Sequence, residues 1–156
     1  MSSKYEKRSA QVLKISASGE AQSTARTDVA IRQHLVTADE PVERHGTDRG
    51  GSPLELLAAS LIGCTNVIAS RIAEDMAITL EEMKIGVTLG LDPAVLAEKE
   101  VDSVFPTVNM IVSAVSNASP QEIDLLKERL AKGCPVSALF RQAGSNVIET
   151  WNITRA

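Results

Sequence analysis

The sequence is 156 residues long, close to the commonest size for one domain and enough to bury roughly two-thirds of its unfolded surface. With 44% hydrophobic and 23% charged residues, it has the composition of a folded globular chain and not of a disordered one. A formal net charge of -4 argues against a general nucleic-acid or anionic-membrane surface. No uninterrupted apolar run reaches the roughly 18 residues of a membrane-spanning helix. Residues 1–8 have no apolar segment behind them, unlike a signal peptide. The expectation is a single cytoplasmic domain over residues 1–156, with no nucleic-acid or membrane partner.

Aromatic residues make up only 3% of the chain, so base-stacking and sugar platforms have almost nothing to work with. The only histidines are His34 and His45, the only cysteines Cys64 and Cys134, and their spacing fits no zinc motif. No metal and no bound organic cofactor are expected. Two cysteines 70 positions apart are no disulfide framework in a reducing compartment. They are either two unrelated buried thiols or a pair that does redox chemistry.

In chain order, residues 8–18 alternate polar and apolar through Val12, Leu13 and Ile15 and predict a first strand, with a polar connector at 19–23. Residues 26–38, with Val29, Ile31, Leu35 and Val36, predict a second strand. On it Arg26, Asp28, Ala30, Arg32 and His34 share a face by the period of two. After a glycine-rich loop, Ser52-Pro53-Leu54-Glu55 has the form of a capping box: Ser52 at N-cap, Pro53 at N1 and Glu55 at N3. The helix it opens, Pro53 to about Asp75, is about 35 Å long and apolar nearly all round. Such a helix is buried on most sides, by a sheet or by another subunit.

Residues 82–91 and 105–115 predict strands joined by a polar connection or a short helix. Ser119-Pro120-Gln121-Glu122 repeats the capping-box grammar and opens a helix to about Lys132, with Ile123, Leu126 and Leu130 on one face. Gly133 is placed to stop it at C′, Cys134-Pro135 to start a third helix through Phe140, and 146–154 to close the chain as a strand. The expected class is α+β, in the order β-β-α-β-β-α-α-β.

Cys64 falls in line with Leu57, Leu61, Ile68 and Ile72, on an apolar stripe where a free cysteine packs as a small hydrophobe. Apolar burial raises a thiol pKa, so chemistry at Cys64 calls for a cation brought from elsewhere. Cys134 sits where the first N–H groups of a helix point outward, which predicts a lowered thiol pKa. A desolvated cysteine and one at a helix start are the two halves that a thiol peroxidase requires.

The stretch Gly50-Gly51-Ser52-Pro53-Leu54-Glu55-Leu56-Leu57-Ala58-Ala59, with Cys64 on the same helix, resembles the signature of the OsmC/Ohr family. Cys134-Pro135-Val136-Ser137 looks like that family's second cysteine motif, and Asp39-Glu40-Pro41 with Gly46-Thr47-Asp48 like the lead-in of one branch. The resemblance implies an OsmC-like fold with a long buried central helix in an intertwined homodimer. It implies thiol-dependent reduction of hydroperoxides, often organic ones, with Cys64 peroxidatic, Cys134 resolving and an external dithiol reductant. It also implies a thiolate-stabilising arginine from the N-terminal strands, for which Arg32 and Arg26 are candidates, held by a glutamate directly after the proline.

Here that position is Leu54, and the acid comes one place later, at Glu55. Nine residues along a helix place Glu55 about 180° round the axis from its own chain's Cys64. Glu55 therefore has two roles open to it: the N3 acid of the capping box, or an acid serving the other subunit's site. The departure at Leu54 also raises an alternative function, an OsmC-like binding or carrier protein for an apolar or thiol-containing small molecule without peroxide turnover.

Overall fold

The computed structural model describes residues 12–156. One compact unit ends at Pro53 and a second runs from Leu54 to Ala156.

The first unit is an antiparallel sheet of β1 (Ser18–Ala21), β2 (Thr27–Ile31) and β3 (His34–Ala38), in that order. This differs from the sequence expectation in two ways. Residues 8–11 of the predicted first strand lie outside the described residues, and 12–17 form no regular structure; pairing starts only at Ser18. Pairing begins there because the partner strand runs out: Ser18 already faces Ala30 and β2 ends at Ile31, while Ser23 Oγ, accepting the amides of Ala25 (3.2 Å) and Arg26 (2.9 Å), shapes the turn that follows β1. The predicted second strand is in fact a hairpin. Arg32 adopts φ 55°, the left-handed turn conformation, and Ala30 pairs with Leu35 and Asp28 with Thr37. Arg32 is therefore a turn residue and does not share a strand face with Asp28. The element order gains a strand and becomes β-β-β-α-β-β-α-α-β.

After β3 the chain wraps round the fully buried Asp39. Its carboxylate accepts the amides of Glu40 (2.9 Å), Thr47 (3.2 Å) and Arg49 (3.1 Å) and the Thr47 hydroxyl (2.6 Å). The Thr47 hydroxyl first, and those amides after it, hold the Asp39 pKa down to about 2. Gly50 passes so close to the Thr37 carbonyl that no side chain fits there.

In the second unit, β4 (Glu81–Gly90), β5 (Thr107–Ser116) and β6 (Asn146–Arg155) form a sheet with β5 in the centre, antiparallel to β4 and parallel to β6. The inner face of β5 (Val108, Met110, Val112, Ala114) is buried by strand alternation. Helices α1 (Pro53–Asp75), α2 (Pro120–Gly133) and α3 (Pro135–Gln142) contribute Leu61, Ala69, Ile72, Leu126, Leu130 and Phe140 to the same core. Each large side chain among them stabilises the unit by about 1.5–3 kcal/mol. The second capping box is present: Ser119 Oγ accepts the Glu122 amide at 3.3 Å, and Glu122 Oε2 accepts the Ser119 amide at 2.8 Å.

α1 buries one face, Leu61, Thr65, Ala69, Ile72 and Ala73. The other, with Ala59, Ser60, Gly63, Asn66 and Ser70, is exposed, as are Leu54 and Val67 at 45% and 46%. By length and composition α1 could cross a membrane, although Ser60, Thr65, Asn66 and Ser70 interrupt its apolar run. Its buried face is part of the core that lies on the sheet.

Candidate functional site

The two cysteines meet. Cys134 Sγ lies 3.0 Å from Cys64 Sγ and donates its S–H to it. Both are free thiols; Cys134 is fully buried and Cys64 partly exposed. Three elements bring them together. α1 carries Cys64 beside Leu61 and Ile68; α2 ends against that same helix, where Gly133 runs alongside Ile68; and α3 begins at Cys134.

Cys134 is a joint between two helices. Its amide bonds to the Leu130 carbonyl at 2.9 Å and closes α2, while its sulfur accepts the Ser137 amide at 3.4 Å and opens α3. Gly133 is the last residue of α2 and not a left-handed C′ stop; the C-cap is Cys134 at φ -86°. The expected lowering of the Cys134 pKa is not found. Burial, and then the hydrogen bond to Cys64, push this thiol up to about 11, against which the Ser137 amide is the smaller effect. Cys134 is therefore the neutral donor of the pair, and Cys64 its partly exposed member.

The other predicted site residues lie apart from the thiols or in the first unit. Glu55 is exposed in the first turn of α1, and an unbroken helix carries it about 13–14 Å along the axis from Cys64 and onto the opposite side. With Leu54, Ala58, Val87, Leu89 and Phe105 it lines an open, mostly apolar cavity of about 270 Å³. Arg26 is held by Asp28 through contacts of 2.7 and 3.2 Å, whereas Arg32 is exposed and forms no ion pair among the described residues. A larger cavity of about 540 Å³, around Ser119, Trp151 and Arg155, lies at the far end of α2, about 21 Å from Cys134 by helix length. Among the described residues, no cluster of three His, Cys, Asp or Glu could hold a metal ion.

Sequence reasoning gave no role to two neighbours of the thiols. Thr65, fully buried beside Cys64, donates its hydroxyl to Met110 Sδ at 3.3 Å. Ser137, 2% exposed, has a buried hydroxyl with no hydrogen-bond partner. The signal for Ser137 was its N3 position three residues after Cys134.

A family model described as OsmC-like protein matches residues 46–149, a span that crosses the boundary between the two units. The chain is similar to an OsmC-like protein from Mycoplasma pneumoniae, with 21% identity, 92% of this chain and 98% of that one covered, and a TM-score of 0.73. It is also similar to an organic hydroperoxide resistance protein OsmC from Legionella pneumophila (18% identity, 92% and 98% covered, TM-score 0.61). A third similarity is to the organic hydroperoxide resistance protein OhrB of Bacillus subtilis (14% identity, 91% and 98% covered, TM-score 0.58). At these identities the structural likeness shows a common fold. No curated protein matches the chain in sequence.

Proposed function

Because the chain belongs to the OsmC-like protein family, we propose that it is a thiol-dependent hydroperoxide reductase whose reacting groups are Cys64 and Cys134. The observation that carries this reading is the 3.0 Å approach of the two sulfurs, one accessible and one buried. The Cys64 thiolate attacks the terminal peroxide oxygen, the O–O bond breaks, an alcohol leaves with a proton, and Cys64 becomes a sulfenic acid. Cys134 then attacks that sulfur, the S–S bond forms, and the sulfenic oxygen leaves as water with the thiol proton. An external dithiol returns the pair to thiols. No metal or bound cofactor takes part in this scheme.

The apolar neighbours of Cys64 and the names of the Legionella and Bacillus proteins support organic hydroperoxides as the substrate class, with hydrogen peroxide reduced more weakly. A thiolate-stabilising cation completes the reading. Of the two candidates named from the sequence, Arg26 is already engaged by Asp28, which leaves Arg32 as the arginine of this reading. The exposed face of α1 is assigned to a second copy of the chain, in a homodimer; Glu55, turned away from its own chain's thiol, enters the reading through that partner. A cytoplasmic location, where thiols stay reduced, suits the pair.

The test is steady-state consumption of cumene hydroperoxide with dithiothreitol. Loss of turnover in Cys64→Ser supports the reductase. An unchanged rate overturns it in favour of a binding or carrier protein, a second reading that the apolar cavity beside Leu54 favours.

A further inference from the structure

α2 and α3 open on the same two positions. In α2 the N-cap and N3 side chains touch, with Ser119 Oγ 2.8 Å from Glu122 Oε2. In α3 the corresponding pair is Cys134 and Ser137, and the Ser137 amide already points at the Cys134 sulfur. The usual target of an N3 side chain is the N-cap amide. Here that amide is taken by the Leu130 carbonyl at 2.9 Å. The Ser137 hydroxyl is left buried and without a partner, on the residue whose own amide meets the N-cap sulfur at 3.4 Å. A buried hydroxyl without a partner is disfavoured in a resting protein, and it calls for an explanation.

We propose that the Ser137 hydroxyl is a hydrogen-bond donor held in reserve for Cys134, turning to its sulfur whenever that sulfur carries negative charge. The inference deepens the thiol reading above and rests on it. In the resting pair the Cys134 sulfur is neutral, donates to Cys64 and accepts only the Ser137 amide. During reduction of the disulfide, a dithiol thiolate attacks the accessible Cys64 sulfur, the S–S bond breaks, and Cys134 leaves as a thiolate. It leaves into a site with little solvent, where a second donor speeds departure. A proton later reaches Cys134, and the second thiol of the reductant releases Cys64 as the reductant closes its own disulfide. The same donor serves the opposite step, when Cys134 loses its proton to attack the Cys64 sulfenic acid.

The experiment uses the full chain and the variants Ser137→Ala and Ser137→Thr. Diamide oxidises the pair, taking up two electrons and two protons, and reduction by dithiothreitol is followed by acid quench, alkylation and intact mass. Ser137→Ala removes only an unpaired hydroxyl, so its melting temperature is expected at or above that of the parent chain. Its disulfide should be reduced about tenfold more slowly, the loss of one hydrogen bond to a charged sulfur. The pH at which Cys134 is half-alkylated should rise, and Ser137→Thr should restore both. Equal rates in parent and Ser137→Ala, or equal slowing in Ala and Thr, would overturn the assignment. A chain whose disulfide chemistry depends on Ser137 but which consumes no cumene hydroperoxide would keep this inference and sink the reductase.

Discussion

The Cys134 thiol donates to the Cys64 sulfur from 3.0 Å, and in doing so sorts the two cysteines by role. The donor is buried, neutral and pushed up to about 11; the acceptor is the one a reagent can reach. Iodoacetamide at pH 8 should therefore label Cys64 and leave Cys134 untouched, with Cys134 reacting only as the pH approaches 11. Peptide mass mapping of the labelled chain checks the order. Because burial is the larger cause of the Cys134 shift, removing its neighbour by Cys64→Ala should leave Cys134 slow.

The same arrangement separates the two serine variants in turnover. Cys64→Ser should consume no cumene hydroperoxide. Cys134→Ser should consume about two equivalents and then stop, the first making the Cys64 sulfenic acid and the second carrying it to sulfinate, seen as a gain of about 32 Da in intact mass, two oxygen atoms. Serine also keeps an N-cap acceptor at the start of α3, so the second variant should fold normally.

Asp39 gives the first unit an acid sensitivity whose sign is fixed. Its pKa lies at about 2 in the folded chain against an ordinary 3.8, so the carboxylate binds its proton later when folded. The stability it contributes is complete above about pH 4 and is lost as the pH falls through 2. Asp39→Asn should lower stability at pH 7 and flatten its fall between pH 4 and 2, as read from melting curves taken across that range.

Core and cap variants calibrate the second unit. Leu61, fully buried on α1, should lose about 2–5 kcal/mol on Leu61→Ala. Thr65→Val removes a hydroxyl that donates only to a thioether and should shift stability by under about 1 kcal/mol. Ser119→Ala, which breaks a complete capping box, should cost about 1 kcal/mol. Urea denaturation measures all three.

Much of the second unit was legible in advance. α1, α2 and α3 begin at prolines after side chains suited to capping and carry apolar residues at helical spacing, and the three long strands alternate along their length. The first unit was less so. Its β2–β3 turn is Arg32-Gln33, with neither glycine nor asparagine to mark it, and β1 can start only where β2 runs out at that turn. At the site, the paired motifs pointed to two cysteines and to the helix-start amides beside Cys134. They could not say that burial would outweigh those amides at Cys134, because burial belongs to three elements distant in sequence.

Cys134 leaves no spare residue between the last turn of α2 and the first turn of α3. The fourteen residues of α2 thus work as a ruler between the Ser119 cap and the thiol. One residue inserted into that helix would turn the sulfur by about 100° and slide it by about 1.5 Å, uncoupling it from α1 with little harm to the helix itself. Insertions and deletions are thereby closed to α2, while substitutions on its outer face stay open.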